Sequence, residues 1–179
     1  MDPATTFGYV ETTTPQHILL FRLLIAALFG AMIGFEREAR SNGAGLRTHI
    51  LIATAACLFT LLTFEIYHLS DVIGSGNADP IRAVEATTAG IAFLGAGAIF
   101  QQRGNVRGLT TGAGMWLAGA VGVATALGYY LVAFAVSLFV VLVLVGLRAF
   151  ARRVGGSDDD DETASSAESE AQPPKSKGT

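Results

Sequence analysis

Apolar residues in this chain fall into long runs, and polar or charged residues mark the breaks between them. Three runs cover roughly residues 18–35, 49–67 and 83–100, and a fourth, 109–147, contains no Asp, Glu, Lys or Arg. A helix rises 1.5 Å per residue, so about 20 apolar residues cross a hydrocarbon core of about 30 Å. The first three runs each match one crossing. The fourth is too long for one and must fold back. Leu127-Gly128-Tyr129-Tyr130 is the best turn within it, glycine giving the bend and the tyrosines an interfacial anchor. The pattern predicts an all-α, polytopic bundle of about five transmembrane helices. A re-entrant pair, giving four helices and a half-helix, fits the last run nearly as well.

The arginines set an expected orientation. Arg37, Arg40 and Arg47 follow the first run, Arg103 and Arg107 the third, and Arg148, Arg152 and Arg153 the last. The other side has Arg82, and the N-terminal segment has no basic residue. The positive-inside rule then puts the N-terminus outside and the C-terminus in the cytoplasm, as an odd number of spans requires.

Composition agrees with a membrane class and adds two tails. The chain has 179 residues, 51% of them hydrophobic, with a mean hydropathy of +0.47. Residues 1–16 form a polar segment without the basic start of a secretory signal, so the first run is expected to stay in the mature protein. Residues 17–150 form the helical membrane domain. Residues 151–179 are acidic, rich in Ser and Pro and without apolar periodicity, and read as a disordered cytoplasmic tail. The formal charge of −3 is therefore an average of a basic membrane boundary and an acidic tail. Nothing in it points to a nucleic acid. A lone cysteine, Cys57, sits in an apolar run and reads as a buried thiol.

Glycine is dense between residues 90 and 114. Inside apolar runs small residues mark faces where helix backbones approach closely. Gly30 and Gly34 form a GxxxG pair in a stripe with Arg22 and Ala26, and Ala53, Ala56, Thr60 and Thr63 form a similar stripe on the second run. Gly104, Gly108 and Gly112 would share one face if their segment were helical. All these stripes read as packing before ligand binding.

Charges near the ends of runs carry the candidate chemistry. Arg22, Glu65 and Glu85 fall near the outer ends of helices one, two and three, and an Arg22–Glu85 bridge is the expected structural pair, with Glu65 as the other partner for Arg22. Glu65, Asp71, Asp79 and Glu85 make the outer side acidic and are weak candidates for a hard cation such as Mg²⁺. Scattered acids do not define a site, so no metal centre and no cofactor is assigned.

The inner side is denser. Glu36-Arg37-Glu38 closes the first helix, and Gly43-Ala44-Gly45-Leu46-Arg47-Thr48-His49 leads into the second. Asn105-Val106-Arg107-Gly108 precedes Thr110 and Thr111 in the next inner loop. Both read as tight turns with threonine-capped helix starts. Glu36 is expected to neutralise Arg47, and the Asn105 amide to fix the second turn beside the first. One arginine then stays free for a lipid phosphate or a partner acid. His49 at a helix start reads as structural. No Walker lysine, HExxH pair or nucleophile with a His/Asp partner is present, and Gly95-Ala96-Gly97 follows a helix rather than a strand, so no enzyme is expected.

Four motifs in order carry a resemblance. Gly34-Phe35-Glu36-Arg37-Glu38, Ala44-Gly45-Leu46-Arg47-Thr48-His49, the stretch from Gly90 to Ile99, and Asn105 to Thr111 with Trp116 resemble the MgtC/SapB family of bacterial inner-membrane proteins. The resemblance covers roughly residues 18–147. It implies a small multi-pass bundle in the bacterial cytoplasmic membrane, associated with adaptation to magnesium limitation and in some members with survival inside host cells. Longer members carry a soluble C-terminal domain, where this chain has its acidic tail. By motif, Glu36, Arg37, Arg47, Thr48, Asn105 and Arg107 are the functional candidates. Two function classes follow: a non-catalytic regulator of other membrane proteins, with lipids, inner-membrane proteins or a second copy as partners, and a Mg²⁺ transporter or channel. Ion paths need polar groups at depth, and no acid lies mid-span, which favours regulation.

Overall fold

A computed structural model describes residues 12–39, 44–74, 79–102 and 105–154. Five helices occur in the order α1 (Gln16–Glu38), α2 (Leu46–Ile73), α3 (Pro80–Gly97), α4 (Leu109–Ala126) and α5 (Tyr130–Val154). Between α3 and α4 the chain forms a two-stranded antiparallel ribbon, β1 (Phe100–Gln102) with β2 (Asn105–Arg107), Gln101 facing Val106. Among the described residues the fold is all-α apart from this ribbon. Packing divides the chain after Val141, and the contacts described below lie within the first unit. Residues 1–11, Arg40, Asn42 and Gly43, where a tight turn is expected, Arg103, Gly104 and the acidic tail from 155 lie outside the described residues.

Among the described residues four helices are long and apolar enough to cross a membrane: Gln16–Glu38, Leu46–Val72, Leu109–Ala126 and Tyr130–Leu147; α3, the third expected span, is not one of them. The protein is a multi-pass membrane protein. The fourth apolar run forms two separate helices rather than one with a half-helix. Its turn falls at Gly128, whose φ of 84° is a left-handed conformation that glycine adopts at no steric cost. The Gly128 amide donates to Thr125 O at 3.0 Å and that of Tyr129 to Ala124 O at 2.9 Å, closing the end of α4.

Small residues hold α1, α2 and α4 together. A methyl group on Gly30 would lie 2.6 Å from His49 O and 2.9 Å from Ala53 Cβ, and one on Gly34 would lie 2.8 Å from Leu46 Cα. The GxxxG stripe is thus a backbone contact between α1 and α2. A methyl on Gly122 of α4 would collide with the Ala53 carbonyl of α2. The interior that results is built from Ala26, Ile33, Ala53, Ala56, Cys57, Ala118 and Val121, all nearly or wholly enclosed. Dispersion between many well-packed atoms drives such association, because lipid tails are as apolar as the side chains. Thr60, Thr125 and Ser137 are enclosed too, and each returns its hydroxyl to the carbonyl four residues earlier.

Helix α3 joins through another glycine contact. A methyl on Gly112 would stand 2.9 Å from Gly95 O, and one on Gly95 3.2 Å from Gly112 O. Gly108 differs from the expected stripe. It is the N-cap of α4, with φ of 87°, and a methyl on it would collide with the Ala98 carbonyl. Gly108 and Gly112 therefore serve a turn and a helix contact, not one helical face.

Candidate functional site

The end of α1 carries a charge inward. Arg37 is 5% exposed and Glu36 8%, although both sit in the last turn of a helix, where a charge ordinarily reaches solvent. The Arg37 Nη2 donates to the backbone carbonyl of Thr110 at 2.7 Å, and its Nε lies 4.0 Å from Glu36 Oε2. Thr110 belongs to the first turn of α4. The arginine therefore ties the end of α1 to the start of α4.

His49 completes the cluster. It is fully enclosed, and its Nδ1 stands 2.8 Å from Gly45 O. That carbonyl only accepts, so Nδ1 carries the proton, and in the neutral ring Nε2 is an acceptor. Among the described residues Nε2 has no hydrogen-bond partner. A methyl on Gly114 of α4 would lie 3.2 Å from Nε2 and 3.8 Å from Arg37 Nε, so the bare glycine makes room for both side chains. Thr111, also buried, stands in the same turn as Thr110. Breaking a buried charge from one side leaves the other in a poor solvent, typically at a cost of about 3–5 kcal/mol. This cluster is a structural lock between α1, α2 and α4.

The helix starts are capped otherwise than expected. Gly45 is the N-cap of α2, and the Glu38 carboxylate reaches across the turn to accept from Leu46 N at 3.0 Å. Thr48 is half-buried and does not cap. Gly108, not a threonine, caps α4. Arg47 and Arg107 are both exposed, and Glu36 faces Arg37 instead of Arg47. The Asn105 backbone pairs in the ribbon; its amide side chain lies outside the described part.

At the other end the expected Arg22–Glu85 bridge is replaced. Arg22 Nη1 donates to Ala126 O at 2.6 Å and its Nε to the Tyr130 hydroxyl at 3.3 Å, while Glu85 is exposed on α3. A carbonyl at the C-terminal end of α4 carries the negative pole of that helix, so it attracts a guanidinium without a desolvated carboxylate. Glu65 accepts from Thr13 N at 2.9 Å and Thr14 N at 3.2 Å, fastening the segment before α1 to α2. Asp79 is the N-cap of α3, accepting from Ile81 N at 2.9 Å, and Asp71 is exposed. The four acids thus have separate surroundings, and among the described residues no three His, Cys, Asp or Glu side chains gather as metal ligands.

With this geometry in place, the comparisons with known proteins are specific. The model of the MgtC family matches residues 23–153. MgtC of Salmonella typhimurium LT2 is 38% identical over 135 residues, covering 75% of this chain and 54% of that protein. SapB of Bacillus subtilis 168 is 37% identical over 139 residues, 76% of this chain and 60% of that protein. YhiD of Escherichia coli K12, named as a candidate magnesium transporter, is 37% identical over 127 residues, 70% of this chain and 58% of that protein. This chain belongs to the MgtC family. It spans little more than half the length of these relatives. No solved structure matches it significantly.

Proposed function

We propose that the chain is a non-catalytic protein of the bacterial cytoplasmic membrane that regulates other membrane proteins during magnesium limitation, with its N-terminus outside and its C-terminus inside. Close packing of the bundle interior is the observation that carries this reading. Along α1, α2 and α4, glycine and alanine bring backbones into direct contact, and among the described residues the enclosed centre between the two charged ends holds no charged side chain, its hydroxyls at Thr60, Thr125 and Ser137 being bonded to carbonyls of their own helices. An ion path calls for polar groups at depth. Here the inward charges are spent on locking helices: Arg37 on Thr110 O, Arg22 on Ala126 O. The other reading, passage of Mg²⁺, draws on the name of the relative YhiD.

Residues 17–150 are the membrane domain in this proposal, and 151–179 a cytoplasmic appendage. Partners are lipids and inner-membrane proteins, with a second copy of the chain as a further arrangement. The exposed Arg47, in the first turn of α2, and Arg107, at the end of β2, are the residues offered to a partner acid or lipid phosphate. Growth of a deletion strain at limiting Mg²⁺ tests this. Arg47→Gln with Arg107→Gln should reach the membrane at wild-type level and fail to complement. Full complementation at wild-type level would make both turns scaffolding and overturn the assignment.

A further inference from the structure

Arg22 and Glu65 line one cavity of about 210 Å³ at the end of the bundle remote from Arg37, and among the described residues no salt bridge joins them. Two opposite charges thus share a small site without meeting. Each also has bonding capacity left. A guanidinium carries five N–H donors, and Arg22 commits one at Nε and one at Nη1. A carboxylate offers about four lone-pair positions, and Glu65 fills one on each oxygen with the amides of Thr13 and Thr14. These bonds hold both side chains in place on backbone groups and a tyrosine. A ligand bearing an anionic group and an ammonium group would satisfy both.

The depth of this cavity in the bilayer is that of a lipid headgroup. Glu65 lies nineteen residues beyond Leu46, the first residue of α2, or about 28 Å at 1.5 Å per residue. That is close to the hydrocarbon thickness of about 30 Å. With Leu46 at one headgroup boundary, Glu65 reaches the other.

We infer that this cavity binds a zwitterionic aminophosphate, the headgroup chemistry of phosphatidylethanolamine, with the phosphate on Arg22 and the ammonium on Glu65. The site is separate from the Arg37 cluster and independent of the regulatory reading.

Native mass spectrometry of the full chain in detergent tests it, with phosphatidylethanolamine, phosphatidylcholine and phosphatidylglycerol of identical acyl chains. Phosphatidylcholine keeps the phosphate but lacks ammonium N–H donors, and phosphatidylglycerol lacks the cation. Loss of one charge-assisted hydrogen bond corresponds to roughly tenfold in affinity. Wild type should therefore retain phosphatidylethanolamine about tenfold better than either. Glu65→Gln should bring it down to the phosphatidylcholine level without changing phosphatidylcholine itself. Free phosphoethanolamine separates the sources. Displacement by it assigns recognition to the headgroup alone, and resistance with the preference intact assigns it to the lipid with its chain. Equal retention of the three lipids by wild type would overturn the inference, whether or not the variant folds. So would an undiminished preference in folded Glu65→Gln.

Discussion

Arg37, in the last turn of α1, donates through Nη2 to the backbone carbonyl of Thr110 in the first turn of α4, at 2.7 Å. This bond joins two turns that are more than seventy residues apart in sequence. It makes a buried arginine the fastener of that end of the bundle.

Arg37→Gln should therefore lower stability by about 3–5 kcal/mol, since Glu36 stays buried beside it. The thermal midpoint of the purified protein in detergent checks this. Arg47→Gln and Arg107→Gln, on exposed side chains, should each stay within about 0.5 kcal/mol of wild type. An Arg37→Gln midpoint no lower than theirs would remove the fastening role.

The contrast between these arginines marks where sequence reading succeeded and where it ran out. Runs of apolar residues of bilayer length locate the helices, because the hydrocarbon core imposes that length whatever the partners. The turn at Gly128 was legible for the same reason: the run from 109 to 147 exceeds one crossing, and a glycine between aromatic anchors is where it can bend. Burial of Arg37 was not legible. Arg37, Arg40 and Arg47 look alike in a charge count, and only the arrival of α4 singles one out. The capping of α2 by Glu38 was hidden likewise, since a carboxylate reaching back across a turn has no fixed spacing. Three-residue strands are too short to show alternation, so the ribbon at 100–107 read as a plain loop. Arg22 was recognised as a charge that seeks a partner, but the expectation sought a carboxylate, whereas a helix-terminal carbonyl serves.

Glycines at helix contacts should sort by the space around them. Gly34→Ala sets a methyl 2.8 Å from Leu46 Cα, a backbone atom that cannot turn aside, and should cost about 1–3 kcal/mol. Gly108→Ala should cost at least as much, because φ of 87° disfavours any side chain and the Ala98 carbonyl occupies the same space. Gly90→Ala meets nothing within 4 Å and should be close to neutral. Thermal midpoints of the three variants in one detergent give the order, and a Gly90 variant as damaged as Gly34→Ala would contradict it.

Orientation is testable through the termini. Cysteines at Thr13 and Ser165, in a Cys57→Ala background, should differ in reaction with an impermeant thiol reagent on intact spheroplasts. Cys57 itself is fully enclosed, so its removal bears on background rather than on topology. Labelling at Thr13→Cys alone is expected. Labelling only at Ser165→Cys would reverse the orientation, and equal labelling of both would contradict an odd number of crossings.

The most direct measurement is Mg²⁺ entry into liposomes containing the purified full-length protein alone, followed with an entrapped Mg²⁺-sensitive dye under an imposed gradient. A bundle whose α1, α2 and α4 touch backbone to backbone at Gly30, Gly34 and Gly122 is predicted to admit Mg²⁺ no faster than protein-free liposomes. Saturable entry that rises with the amount of protein would contradict the regulatory account and establish a transporter.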